Sequence, residues 1–182
     1  MSFQNKIGGK STGRWPPAEG RLFAWGRNNG GHGGRLGQGD TTNRSSPVQI
    51  GSATNWVSHG GSALTQWGLT STGKLYTVGS GQHGALGHNN TTDISTIVQV
   101  GSLTDWGGQI ASGQQQHFAI KTDGTLWCWG RNRKGSLGLG DETARSSPVQ
   151  VGGLTTWSWQ HNEYFFTRTS WFSYRLVSSI EL

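Results

Sequence analysis

Arg21-Leu22-Phe23-Ala24-Trp25-Gly26 returns as Lys74-Leu75-Tyr76-Thr77-Val78-Gly79 and again as Thr125-Leu126-Trp127-Cys128-Trp129-Gly130, 53 and then 51 residues further on. Other landmarks keep step. Leu36-Gly37, Leu86-Gly87 and Leu137-Gly138 are 50 and 51 residues apart, as are Val48-Gln49-Ile50-Gly51, Val98-Gln99-Val100-Gly101 and Val149-Gln150-Val151-Gly152, and as are Trp56, Trp106 and Trp157. A period near fifty residues, rich in strand formers and glycine, is the mark of an all-β repeat array of the propeller kind.

Within each copy the side chains alternate, with Leu22, Ala24 and Gly26 on one strand face and Phe23 and Trp25 on the other. The third copy sets Leu126 and Cys128 against Trp127 and Trp129. A strand apolar on both faces belongs to a covered sheet, and large residues facing small ones let stacked sheets interdigitate. Asp123-Gly124 lies between His117-Phe118-Ala119-Ile120-Lys121-Thr122 and the next strand, a spacing that predicts a two-residue hairpin with a type I′ turn. Thr72-Gly73 takes the same place one repeat earlier. Gln38-Gly39-Asp40-Thr41-Thr42-Asn43-Arg44-Ser45-Ser46 reads as a loop from its Gly, Asp, Asn and Ser content.

The 182 residues include 31 glycines, ten tryptophans and only four prolines, and 13% are charged. So many large aromatics need burial, which separates the chain from disordered sequences. Cys128 is the single cysteine, so no intrachain disulfide framework exists. The first residues lack an apolar signal-peptide core and no run approaches membrane-spanning length, so membrane insertion is not expected. The net charge of +6 favours contact with acidic surfaces or polyanions.

The repeats occupy residues 20–170, in units of about 20–72, 73–123 and 124–170. Upstream, Trp15-Pro16-Pro17 lacks ladder donors and makes 1–19 an extended arm. Downstream, Ser170-Trp171 replaces the Asp-Gly turn and 171–182 reads as a closing strand or tail.

No residues announce chemistry. His32 and His83 fall in matching glycine-rich loops where the third repeat has Lys134, His117 joins them in a reading of the histidines as non-ligating loop residues, and none sits at metal-ligand spacing. Asp40 and Asp141 are equivalent positions of separate repeats and read as turn caps rather than a general acid/base pair. Gly30-Gly31-His32-Gly33-Gly34 lacks the Lys-Ser/Thr of a phosphate loop. Cys128, on the small-residue face of its strand, reads as a structural thiol. Catalytic, cofactor and metal sites are therefore not expected, and neither is a cofactor. Arg27, Arg131, Arg133 and Lys134 follow the strand-ending glycines of two repeats and share one rim, joined by Arg35 and Arg44. These cations read as a solvated rim or, because arginine suits bidentate carboxylate contacts, as a docking surface for an acidic face of a protein partner, with nucleic acid less expected. Trp15, Pro16, Trp159, Trp171, Phe172 and Tyr174 complete the candidate interface as aromatic and rigid anchors outside the repeat.

The combination Leu-(Phe/Tyr/Trp)-x-(Trp/Val)-Gly, then Leu-Gly-x-Gly-Asp, then Ser-Ser-Pro-Val-Gln-(Ile/Val)-Gly resembles the regulator of chromosome condensation repeat family. Leu36-Gly37-Gln38-Gly39-Asp40 and Leu137-Gly138-Leu139-Gly140-Asp141 fit the motif, and Leu86-Gly87-His88-Asn89-Asn90 departs from it. The resemblance implies blades of four antiparallel strands, usually seven to a ring, of which this chain carries about three: an incomplete propeller, or one completed by oligomerisation. Asn43-Arg44-Ser45-Ser46-Pro47-Val48-Gln49-Ile50 is similar in style to bacterial and bacteriophage members. The expected role is a non-enzymatic structural or interaction protein, foremost a bacteriophage virion component (head decoration, tail or fibre-associated) made in the host cytoplasm. Its expected partners are virion proteins or copies of itself. The alternatives are a cytoplasmic regulatory module acting on a partner enzyme or GTPase, and a host-surface or carbohydrate-binding module.

Overall fold

The structure, a computed structural model, describes residues 3–4, 20–30, 34–159 and 176–178. Thirteen strands and two 3-10 turns make up the described residues, with no α-helix among them. The strands are β1 (Phe3–Gln4), β2 (Phe23–Gly26), β3 (Arg44–Gln49), β4 (Trp56–Gly61), β5 (Thr65–Thr70), β6 (Leu75–Gly79), β7 (Ile94–Gln99), β8 (Trp106–Ser112), β9 (Gln116–Lys121), β10 (Leu126–Gly130), β11 (Arg145–Gln150), β12 (Trp157–Trp159) and β13 (Leu176–Ser178). They form antiparallel sheets in the orders β1-β2-β3, β4-β5-β6-β7, β8-β9-β10-β11 and β12-β13. Among the described residues no ladder joins the first sheet to the last, so the array is an open, incomplete propeller.

The quoted strands occupy equivalent places in three successive sheets: β6 and β10 lie between the β5- or β9-type strand and the outer strand, and β2 lies between β1 and the outer strand β3. β6 and β10 show the same sequence of buried and half-buried residues, and Leu22, Leu75 and Leu126 are all at most 2% exposed. Each of β2, β6 and β10 pairs with the outer strand through the same irregularity just before its closing glycine, between Ala24 and Gly26, Thr77 and Gly79, and Cys128 and Gly130. At the tip of the arm, β1 pairs with β2 in the place that β5 and β9 hold beside β6 and β10, with Phe3 opposite Ala24.

The core lies between sheets. Trp56 starts the second sheet and packs with Leu22, Ala24, Leu36 and Ile50 of the first, its ring edge-on to Tyr76 at 5.2 Å. One repeat on, Trp106 packs with Leu75 and Val100, edge-on to Trp127 at 6.2 Å and tilted over Trp129 at 5.9 Å. Gly68 makes room for the first of these rings, because a Cβ there would lie 2.7 Å from the Trp56 ring. Aromatic pairs of this kind add about 0.5–1.5 kcal/mol to the burial of their area.

One sequence expectation changes. The β5–β6 and β9–β10 links hold three residues, not two: Lys121 N–H donates to Thr125 O at 3.0 Å and Gly124 N–H to Lys121 O at 3.0 Å, with the same pair of bonds at Thr70, Gly73 and Lys74. Only Gly73 and Gly124 have positive φ in these turns (+72° and +78°), whereas a type I′ turn needs it at both central residues. These are type I turns closed by a left-handed glycine. The hairpins also join strands within a sheet, so the unit 73–123 supplies β6 and β7 to one sheet and β8 and β9 to the next. Sequence repeat and sheet are out of phase by half a unit.

Candidate protein-interaction rim

Gly26, Gly79 and Gly130 end β2, β6 and β10 at φ of +106°, +113° and +96°, a region that suits glycine alone. There the chain turns against the preceding hairpin loop: Ser80 N–H donates to Leu64 O at 2.9 Å and Arg131 N–H to Gln115 O at 2.8 Å. A Cβ on Gly130 would sit 2.2 Å from that Gln115 oxygen. The residues after these glycines thus all emerge at one end of the sheets.

Two buried asparagines set the loops that follow. Asn132 donates through Nδ2 to the Asp141 carbonyl (2.9 Å), the Asp141 carboxylate (3.1 Å) and Thr143 O (3.0 Å), and its Oδ1 accepts from Leu137 N–H at 2.8 Å. Asn28 does the same for Asp40 and for Leu36 N–H. The aspartates are then clamped by arginines, Arg44 to Asp40 at 2.6 Å and Arg145 to Asp141 at 2.5 Å. Asp40 is held below the usual carboxylate range first by the Thr42 N–H and then by Arg44, and Asp141 first by Arg145 and then by the Thr143 N–H. The second repeat replaces this network: Gly81 stands where the asparagines do, and its N–H donates to the Asp93 carboxylate at 2.9 Å. The asparagines were not singled out from sequence, although Gly-Arg-Asn at 26–28 and 130–132 carries the signal.

Arg27 and Arg35 approach each other across Gly30, and Arg35 donates to Ala63 O at 2.6 Å. Arg131 lies beside the Gln115 side chain, and Gln115 in turn bonds Gln82 of the second repeat. Arg133 and Lys134 are exposed on the 3-10 turn Arg133–Gly135. The rim therefore runs from Arg27 and Arg35, past Gln82 and His83, to Arg131, Arg133 and Lys134, and none of these cations has an ion pair among the described residues. Arg44 leaves the group that the sequence suggested, because Asp40 and Thr42 O already take its guanidinium. Trp159 lies on β12, opposite Leu176; its side chain, and Trp15, Pro16, Trp171, Phe172 and Tyr174, lie outside the described residues.

The remaining polar groups are structural. His117 is not in a loop but on β9, fully buried, with Nε2 3.1 Å from Thr65 Oγ1, Nδ1 2.9 Å from Ser112 Oγ, and its ring stacked on Trp129. Burial pushes its pKa down to about 4. His83 has φ +57° and Lys134 +56°, so these two do share one loop position, while His32 lies outside the described residues. Burial raises the Cys128 thiol to about 11, and its Sγ lies 3.4 Å from Leu137 O, which leaves no reactive thiolate. Among the described residues no three His, Cys, Asp or Glu side chains come together as a metal site. At the far end of the sheets Lys121 is buried against Trp127 (4.3 Å) and paired with Asp105 (3.1 Å). A cleft of about 400 Å³ between the second and third sheets is lined by His88, Val100, Leu103, Trp127 and Pro148. Its one ionisable group, His88, is bonded to Thr77 Oγ1.

Repeated blades with a rim of loops define a propeller-type binding scaffold, and comparison with known proteins gives the family. The regulator of chromosome condensation (RCC1) repeat matches residues 19–60 and 123–161, and a second pattern of that description matches 109–136. The chain belongs to the RCC1 repeat family. It is 32% identical over 142 residues to the ultraviolet-B receptor UVR8 of Arabidopsis thaliana, covering 73% of this chain and 30% of the receptor. A shorter stretch of 48 residues is 44% identical to the human probable E3 ubiquitin-protein ligase HERC3, covering 26% and 5%. Among solved structures, yeast RCC1 (Prp20) bound to Kap60 matches with TM-score 0.65 and 22% identity over 78% of this chain and 33% of that one. Prp20p from Saccharomyces cerevisiae, described with its binding to Gsp1p and histones, matches with TM-score 0.63 and 18% identity over 75% and 35%. At these identities the structural likeness is one of fold. The chain spans about a third of the length of UVR8 and Prp20.

Proposed function

We propose that this chain is a non-catalytic protein-binding module that receives an acidic face of a protein partner on the rim of Arg27, Arg35, Arg131, Arg133 and Lys134. The observation that carries the reading is the gathering of these cations at one end of the sheets without acidic partners among the described residues, while Arg44 and Arg145 are consumed by structure. Guanidinium groups fit carboxylates in pairs, so the rim suits a surface of Asp and Glu side chains. Prp20 is described in complex with Kap60 and as binding Gsp1p and histones, which agrees with protein ligands for scaffolds of this kind. Nothing in these relatives points to a virion component, so the regulatory-module reading comes first.

The test uses a labelled poly-glutamate peptide and a double-stranded DNA of similar charge as probes, followed by fluorescence anisotropy. The peptide is expected to bind more tightly than the DNA and to lose about tenfold or more in affinity between low and high salt, as screening shortens the reach of the rim. Joint replacement of Arg27, Arg131, Arg133 and Lys134 by Glu should abolish binding. Equal peptide binding by that variant refutes the rim as the site, and tighter binding of DNA refutes the protein-ligand reading.

As a second reading we retain a structural role in a larger particle, in a virion or the cytoplasm, because among the described residues no ladder joins the first sheet to the last. Co-sedimentation of the chain with an assembled particle is its test; a chain found only in soluble one-to-one complexes refutes it.

A further inference from the structure

The junction between the first and second sheets and that between the second and third are built from corresponding residues, and they close differently. Over the first, Ala53, Tyr76 and Ile97 pack onto the cluster that holds Trp56, and Gln38 lays its amide along β3, donating to Gln49 O at 3.1 Å. Their counterparts over the second, 50 or 51 residues further on, are Leu103, Trp127, Pro148 and His88. Leu103 stands out from the sheet, 38% exposed, where Ala53 packs down. His88 turns its ring inward to Thr77 Oγ1 at 3.0 Å instead of reaching along the outer strand as Gln38 does. Among these four residues lies the cleft of about 400 Å³, with Trp106 in its wall.

The polar atoms that line this cleft call for a ligand that donates. Thr77 Oγ1 gives its only hydrogen to Leu86 O at 2.7 Å, so His88 Nε2 carries the hydrogen of the Thr77–His88 bond. The other ring nitrogen, Nδ1, is then an acceptor, and no donor meets it among the described residues. Gln99 donates through Nε2 to Leu103 O at 3.3 Å, which leaves its Oε1 as a second acceptor without a donor among the described residues. Ser147 adds a hydroxyl to the lining, and Trp106 Nε1 is a buried N–H with no acceptor among the described residues. No Asp, Glu, Lys or Arg side chain lines the cleft.

We propose that the cleft between the second and third sheets binds a neutral carbohydrate of one or two sugar rings. A sugar offers what the lining lacks: hydroxyls that donate to His88 Nδ1 and Gln99 Oε1 and can accept from Trp106 Nε1. Its C–H faces pack against an indole ring, which the half-buried Trp127 supplies, and it brings no charge that would lose its hydration in a wall without counter-charges. The volume lies within the range of about 300–1,000 Å³ that small-molecule pockets occupy.

Peptides fit the same cleft less well. A run of prolines presents carbonyl acceptors and no N–H, so it would leave His88 Nδ1 and Gln99 Oε1 both unsatisfied. An extended chain adding to the outer edge of β11 meets Pro148, which has no N–H with which to continue a ladder. The cleft shares no residue with the basic rim, so the inference stands or falls separately from the proposed function.

Nitrogen-edited NMR of the full chain, titrated with maltose, cellobiose, lactose and diacetylchitobiose, tests the proposal, with an uncharged peptide alternating proline and serine as the competing probe. At least one disaccharide is expected to bind at millimolar concentration and to shift the indole N–H signals of Trp106 and Trp127. Gln99→Ala removes one acceptor, and Ser147→Arg fills the cleft with a long charged side chain; each should weaken that binding about tenfold or more. Gln49→Ala deletes the corresponding amide at the first junction, where Gln49 Nε2 donates to Gly51 O, and should leave binding unchanged. Thermal unfolding of the three variants checks that the fold is kept. No disaccharide bound at high millimolar concentration, binding unaffected by both cleft variants, equal weakening by Gln49→Ala, or preference of the cleft for the peptide over every sugar would each overturn the proposal.

Discussion

His117 links the packing of the second and third sheets to pH. Its ring touches Thr65, Ser112 and Trp129, with no water-facing atom and no charged neighbour among those contacts, and its pKa falls to about 4. Above the ordinary value of 6.5 neither the folded nor the unfolded chain carries a proton there. Below it the unfolded chain takes up a proton that the native one refuses, so stability falls with pH, by at most about 1.4 kcal/mol per unit. The fall stops near pH 4, where the native ring protonates too, after a loss of about 3 kcal/mol. Against a total of about 5–15 kcal/mol for a typical domain, that is a large share. His117→Gln keeps a donor and an acceptor for the two hydroxyls and removes the titration, at a fixed cost of about 1–3 kcal/mol for the lost stacking and bonding. Urea unfolding followed by tryptophan fluorescence, at intervals from pH 7 to pH 4, is the assay. The variant starts less stable and the gap closes by about 3 kcal/mol as pH falls. Titrations elsewhere, including Asp40, Asp141, His59 and His88, are common to both chains and cancel in the difference. Parallel stability–pH curves would falsify the assignment of His117 as a buried neutral ring.

Asn132→Ala should cost about 2–4 kcal/mol in chemical denaturation, because it strands the buried Leu137 N–H and frees the loop at Asp141 and Thr143; a loss below about 0.5 kcal/mol would mean that water replaces the side chain. Gly130→Ala should cost more than about 3 kcal/mol, from the positive φ and the Gln115 oxygen together, while Gly153→Ala, with open space and no unusual φ, should fall within about 0.5 kcal/mol of wild type. Comparable melting temperatures for those two variants would contradict the steric account.

The repeat was legible because its burial demands recur: Leu22, Leu75 and Leu126 meet the same surroundings, so the same residue was selected three times. Part of which strands share a sheet was legible too: the hairpin read between the His117 and Leu126 strands joins one repeat to the next and so carries the half-unit offset from the sheets. Alternation fixes the faces of a strand and leaves its other hydrogen-bond neighbour open. The three-residue hairpins escaped notice because Asp-Gly serves both turn types, and only the φ of Asp123 separates them. The places of Arg27, Arg131, Arg133 and Lys134 just after strand-ending glycines were legible in the sequence. The engagement of Arg44 was not, because its aspartate lies four residues away in a loop whose curl no periodicity reports. His117 was misread among the loop histidines, although its place between Gln116 and Phe118 at the head of an apolar strand carried the contrary signal.

The half-unit offset has a bearing on how such arrays change over generations. The segment that gene duplication copies and the segment that folds as a sheet are different pieces of the same chain. Insert a copy of residues 73–123 after itself, and its first two strands complete the sheet begun by β8 and β9, while its last two open a sheet that β10 and β11 finish. Every new junction joins strands already matched to each other, so the array can lengthen or shorten by one blade without a new sheet ever having to be invented.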